Sequence, residues 1–163
     1  MWLILIVLAV PLQAQRLPRF EDYEATVHRG HLVPPKWISH VKGDEWRDDF
    51  GKLVSEPEVN FAGKYFIAVH SCGTGCRYYS MTDLTNGREL NLLKSFATAE
   101  PMPKTNDGYP YLTELISRAN SKLLLAQYHV TLPSGEQCRE RTFVLEGENL
   151  NPLTNTRRHC TRY

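Results

Sequence analysis

The chain has 163 residues, of which 42% are hydrophobic and 23% charged, and its basic and acidic side chains nearly cancel to a formal net charge of +1. That length holds one domain with a real core and is short for two. The near-zero charge supplies no overall field to draw the chain to nucleic acid or to an anionic membrane surface.

The first segment, "MWLILIVLAVPLQAQ", is apolar from Trp2 to Val10, breaks at Pro11 and reaches a small residue at Ala14. Roughly 10 apolar residues fall short of the about 20 that span a bilayer. The segment reads as a secretory signal peptide over 1–14, cut after Ala14; a buried N-terminal strand is the competing reading. Cleavage leaves 15–163 as a single domain with no membrane span, periplasmic or secreted. No cysteine stands near the cut to carry a lipid anchor. In an oxidising compartment the four cysteines point to disulfides, with three full pairings open to them.

Residues 15–43 form an extended lead-in, interrupted by Gly30, Pro34-Pro35 and Gly43 and anchored by Tyr23, Val27, Leu32, Trp37, Ile38 and Val41. Next, Trp46, Phe50, Leu53 and Val54 recur at i, i+4, i+7 and i+8, which predicts a helix near Asp44 to Ser55, with Asp44 as N-cap and Pro57 as its stop. Asp44, Glu45, Asp48 and Asp49 suit the positive end of that helix. The texture then turns to β. "KYFIAVH", "RYYSMTD" and "ELNLL" are strands, with Asn86-Gly87 predicting a hairpin turn in which both residues take positive φ. Lys94 to Pro110 is a long loop rich in proline. "YLTELIS", "KLLLAQYHV", "CRERTFVL" and the edge segment "ENLNPL" follow. The fold class is mainly β: an antiparallel meander of about six or seven strands with one N-terminal helix, in two groups that could form propeller-like blades.

Cys72-Gly73-Thr74-Gly75-Cys76 admits three chemistries. If the cysteines face each other across a three-residue hairpin loop, Val69 opposes Tyr79, Ile67 opposes Met81, His70 opposes Tyr78 and Ala68 opposes Ser80. The first two pairs give an apolar face and the last two a more polar one. Directly opposed Cα atoms lie about 4.5–5.5 Å apart, within disulfide reach, and a structural staple is the preferred reading. A redox pair is the second, although such pairs are usually Cys-x-x-Cys at a helix N-terminus. A metal site adding His70, Cys138 or Cys160 is the third. By elimination Cys138 pairs with Cys160, tying the C-terminal tail to the last long strand; crossed pairings stay open.

"NFAGKYFIAVHSCGTGC" resembles a family of small exported bacterial proteins of unknown function. Its members carry Asn-Phe-Ala-Gly-x-Tyr, Cys-Gly-Thr-x-Cys, Asp-x-x-x-Gly and Ser-x-Leu-Leu, matched here at Asn60 to Tyr65, Cys72 to Cys76, Asp83 to Gly87 and Ser121 to Leu124. "FEDYEA" and "PPKWIS" resemble the family's lead-in. Lys64 stands where the family has His, and His70-Ser71 where it has Trp-Gly. The resemblance implies export and a shared fold, and the family brings no established activity with it.

No nucleophile elbow, zinc-protease helix or Walker loop occurs, so no catalytic residue, metal ligand or cofactor is assigned. His28, His31, His40 and His129 read as surface histidines. Arg139, Arg141, Arg157, Arg158 and Arg162 would bind an anion if they converged, or form a basic edge that resists strand-to-strand aggregation. The hairpin tip and its flanks, His70, Thr74, Arg77 and Tyr78, are the candidate binding residues, since a rigid loop beside aromatic and arginine side chains suits recognition. The function read from the sequence is a non-catalytic envelope binding protein, of the kind an inhibitor or immunity factor would be, with an envelope protein or cell-wall component as partner. The alternatives are a hydrolase whose site assembles only in three dimensions and a metal or redox accessory using Cys72 and Cys76.

Overall fold

A computed structural model describes residues 16–41, 43 and 45–162. The expected signal peptide and the Asp44 N-cap lie outside the described residues. The described residues are mainly β as expected, but they form ten strands in three antiparallel sheets, none of them closed, in place of six or seven strands in two groups. A small sheet holds β1 (Ile38–Val41), β2 (Glu45–Asp48) and β3 (Leu53–Val54); a second holds β4 (Tyr65–Gly73), β5 (Cys76–Asp83) and β6 (Arg88–Leu90). The third is a four-stranded meander of β7 (Tyr111–Ile116), β8 (Leu123–Leu132), β9 (Gly135–Glu146) and β10 (Asn149–Pro152).

The β4–β6 sheet is buried on both faces. Tyr79, Met81 and Leu90 pack with Leu124, Ala126, Phe143 and Leu145 of the meander in the main core. On the reverse face Phe66 and Ala68 join Ile38 and Leu84, flanked by Trp46 and Val54 of the small sheet and by Trp37 just before it. The face expected to be polar is therefore half apolar, because a second layer covers its inner end. Phe20 forms a third cluster with Leu123 and Leu125.

The expected helix near Asp44–Ser55 is instead the β2–β3 hairpin. Asp48 Oδ1 accepts from the N–H of Phe50 and of Lys52 at 3.0 and 2.8 Å, and Gly51 closes the turn with φ +76°. A side chain that mimics a turn, followed by a glycine in the left-handed region, overrides a helical spacing of only four apolar residues. The same spacing survives as a cross-strand pair, Trp46 opposite Val54. At Asn86-Gly87 only Gly87 has positive φ. Its loop spans 84–87 between the paired Asp83 and Arg88, and the N–H of Thr85 bonds to Asp83 Oδ1. The third strand is shorter than "ELNLL": after Leu90 the chain turns, and Leu93 and Phe96 enter the core from a 3-10 turn at Lys94–Phe96. The long loop beyond it is tied down where Thr98 exchanges backbone bonds with Arg77.

The β4–β5 register runs Ile67↔Met81, Ala68↔Ser80, Val69↔Tyr79, His70↔Tyr78 and Ser71↔Arg77, the pairing derived from the cysteine spacing. Beyond Ser71 a bulge shifts it to Gly73↔Cys76, so the loop itself is Thr74-Gly75. Cys72 is bonded to Cys76 and Cys138 to Cys160, with Cα separations of 5.1 and 5.6 Å.

The Asn-Phe-Ala-Gly-x-Tyr segment docks the lead-in. Phe61 and Tyr65 are core residues. Gly63 has φ +81°, and a Cβ there would sit 2.2 Å from the Thr26 carbonyl oxygen, so only glycine lets the lead-in approach. Lys64 Nζ donates to the buried Asp83 at 2.7 Å. Burial opposes ionisation of Asp83, but hydrogen bonds from Lys64 and Thr85 outweigh it and hold the carboxyl below its usual range. The lead-in is bonded at Ala25 to Asn120, at His28 to Gly63 and at Val33 to Leu84.

Candidate functional site

Four large apolar side chains stand well exposed around one cleft: Phe50, Leu53, Tyr78 and, at the edge of β4 on the face opposite Tyr78, Val69. Phe50, at the tip of the β2–β3 turn, is 93% exposed. They border a cleft of about 860 Å³ between the small sheet and the cysteine hairpin, whose walls include Trp37, His70 and Cys72. A smaller hollow of about 180 Å³ continues it past Ser80 and Glu89. The hollow between the lead-in and β9 mixes Asp22, Glu24, Glu146, Lys64 and Lys122 with Tyr23 and Tyr65 and lacks such a rim.

His70 is the centre of the cleft wall. Its ring stacks on Tyr78 with centroids 4.5 Å apart and 9° between planes, and Trp37 meets it edge-on at 4.6 Å. Its Nε2 shares a 2.8 Å hydrogen bond with Ser80 Oγ. Burial pushes the imidazole below its ordinary pKa, against the pull of Asp48 and Glu89, so His70 is neutral at pH 7. The Trp37 indole N–H is buried without a partner among the described residues.

Of the residues singled out in the sequence, His70 and Tyr78 are brought together here, and Thr74 stands exposed at the hairpin tip. Arg77 lies on the opposite face of β5, where its guanidinium reaches the Thr113 carbonyl at 3.4 Å. Arg141 and Arg157 line one hollow together with Arg16, and Arg139 is not among its lining residues. Arg139 makes a bidentate pair with Asp107 at 2.7 and 2.8 Å, Arg157 pairs with the fully buried Glu140, and Arg141 donates to the Thr154 carbonyl at 3.1 Å. His129 sits between Glu114 and Glu136. No group of three or more His, Cys, Asp or Glu side chains is arranged to hold a metal among the described residues.

Trp37, Phe50 and Leu53 were legible only as core anchors. The signal for Phe50 was the Asp48-Asp49-Phe50-Gly51 tetrad, which has the Asp-first, Gly-last chemistry of a turn and so places Phe50 at a tip.

Chemically the cleft offers aromatic surface, carboxylates and one Ser–His hydrogen bond. A nucleophile–base pair needs a third group to orient the base, and among the described residues no carboxylate is bonded to His70. Comparison with protein families, curated proteins and solved structures finds no match. Two disulfides fit an oxidising environment, and no helix of the described residues is long and apolar enough to cross a membrane.

Proposed function

We propose that this is an exported bacterial binding protein, periplasmic or secreted after loss of residues 1–14, and a member of the small exported family its motifs resemble. Its partner site is the cleft between the small sheet and the Cys72–Cys76 hairpin. The observation that carries the reading is the exposed rim of Phe50, Leu53, Val69 and Tyr78. Large apolar side chains held together in water, beside a concave wall, mark interaction sites more than folding needs. The partner is an envelope protein or wall component, as for an inhibitor or immunity factor. The test is capture from envelope extract with mature protein and, in parallel, with a Phe50→Ala/Tyr78→Ala variant of unchanged fold. A partner held by the first and lost by the second is expected; equal capture by both overturns the site.

A second reading, a hydrolase, is favoured by the Ser80–His70 bond alone. Its test is labelling with a fluorophosphonate probe. Covalent modification of Ser80, absent from His70→Ala, would install the enzyme reading; an unlabelled protein leaves the binding reading in place.

A further inference from the structure

The cleft has a feature that no side chain supplies: one wall is an open strand edge. In an antiparallel pair, opposed residues alternate between those that bond to each other and those whose N–H and C=O point outward. Asn60 fixes the phase on β4, since its Oδ1 accepts from the Ile67 N–H at 2.7 Å and its Nδ2 donates to the Ile67 carbonyl at 2.9 Å. Ile67 therefore points away from β5. Thr98 fixes it independently on β5, bonding both backbone groups of Arg77 at 2.8 and 2.7 Å on the side away from β4. Ile67↔Met81 and Ser71↔Arg77 are thus outward-pointing pairs, and so is Val69↔Tyr79 between them. The N–H and C=O of Val69 and of Ser71 project from the β4 edge with no partner among the described residues. Val69 is 62% exposed.

Across the cleft from this edge lies β3, itself the outer strand of its sheet, with Lys52, Leu53, Val54 and Ser55 on the facing wall. The ionisable groups lining these two hollows are Asp48, Asp49, Glu56, Glu58 and Glu89 against Lys52, with His70 neutral, and a further hollow along the Val69–Ser71 edge adds only Arg77 to Lys52, so acids predominate. An occupant that satisfies the edge must be extended polypeptide, and one that satisfies the walls must be basic and partly apolar.

We infer that β4 is a strand-addition site. An extended segment of a partner protein, alternating basic and aliphatic residues, pairs with Val69 and Ser71 and lies between the two three-stranded sheets. Main-chain bonds hold it, and its side chains select it against the acidic, aromatic walls. This rests on the cleft being the binding site and names what fills it.

The experiment is amide hydrogen exchange of the mature protein, read residue by residue by NMR, with a capped hexapeptide of alternating lysine and valine. In free protein Val69 and Ser71 exchange fast and Ala68 and His70 slowly. The peptide is expected to slow Val69 and Ser71, while the same peptide N-methylated at alternate residues, or with glutamate for lysine, is not. Val69→Pro removes an N–H that the β4–β5 ladder does not use, so it should weaken peptide binding about tenfold with Ala68 and His70 still protected. Unchanged exchange at Val69 and Ser71, or equal effect of the N-methylated peptide, overturns strand addition. If Trp37 and Tyr78 resonances still move, the cleft binds by its walls alone and the site survives. Slowing that grows with protein concentration and no peptide would make the occupant a second copy of this chain, and would also overturn the proposal.

Discussion

The two disulfides span similar Cα distances, 5.6 and 5.1 Å, yet Cys138–Cys160 links residues 22 apart and Cys72–Cys76 residues 4 apart. Their surroundings differ more than their lengths. Beside Cys138, the carboxylate of Glu140 is fully buried and takes bonds from Arg157, from Gln127 Nε2 at 2.8 Å and from the Thr161 N–H at 3.0 Å. The disulfide there clasps a tail that completes a buried charge cluster. Beside Cys72, the backbone faces water and the neighbours are Val69, Ser71 and the exposed Thr74. One bond closes an interior, and the other shapes a surface.

The largest expected effect tests the interior half. Glu140→Ala leaves Arg157 without its buried partner and should cost about 3–5 kcal/mol in urea unfolding; a loss under about 1 kcal/mol would make the tail an ornament. Next, loop-closure entropy assigns about 3 kcal/mol to Cys138–Cys160 and about 2 kcal/mol to Cys72–Cys76. Replacing each pair by serine should therefore rank in that order, and equal losses would erase the contrast. A third test sits at the other end of the same hairpin. Asp83 is held below the usual carboxylate range, so its contribution is present above the unfolded value near 3.9 and lost as pH falls through the folded one. Asp83→Asn should flatten that acid limb, seen as a urea midpoint less dependent on pH. The smallest effect belongs to the open tip: Phe50→Ala should change stability by less than about 0.5 kcal/mol, whatever it does to binding.

What the sequence revealed follows from the range over which each feature is encoded. The β4–β5 register was legible because two cysteines and two glycines fix it within a few residues, as Ile67↔Met81 and His70↔Tyr78 show. The β7–β10 meander was legible from strand texture broken by turns. The Glu140–Arg157 pair was not, since neither residue departs from an ordinary charged surface pattern until the tail folds back. The cleft was hidden for a related reason. Trp37 comes from the lead-in, Phe50 from a turn misread as a helix and His70 from a strand, and only the stacking of the small sheet on β4–β5 brings them together. The open edge escaped entirely, because it depends on the phase of the ladder, which Asn60 sets through a contact seven residues away.

Ahead of β1 the described part of the lead-in joins none of the three sheets, yet Phe20 is 3% exposed and Ser121 Oγ donates to its carbonyl at 2.8 Å. Its bonds at Ala25, His28 and Val33 go to three separate places in the rest of the chain. A cut between Val33 and Ile38, where Pro34 and Lys36 are exposed, would therefore leave a fragment still seated by its plug and its backbone bonds, and the two pieces should remain together under native conditions. Trimming that stops before Arg19 spares the plug, whereas trimming past Phe20 unseats it and opens the Leu123–Leu125 cluster. Stepwise N-terminal truncation read by urea unfolding is therefore expected to lose stability abruptly at Phe20.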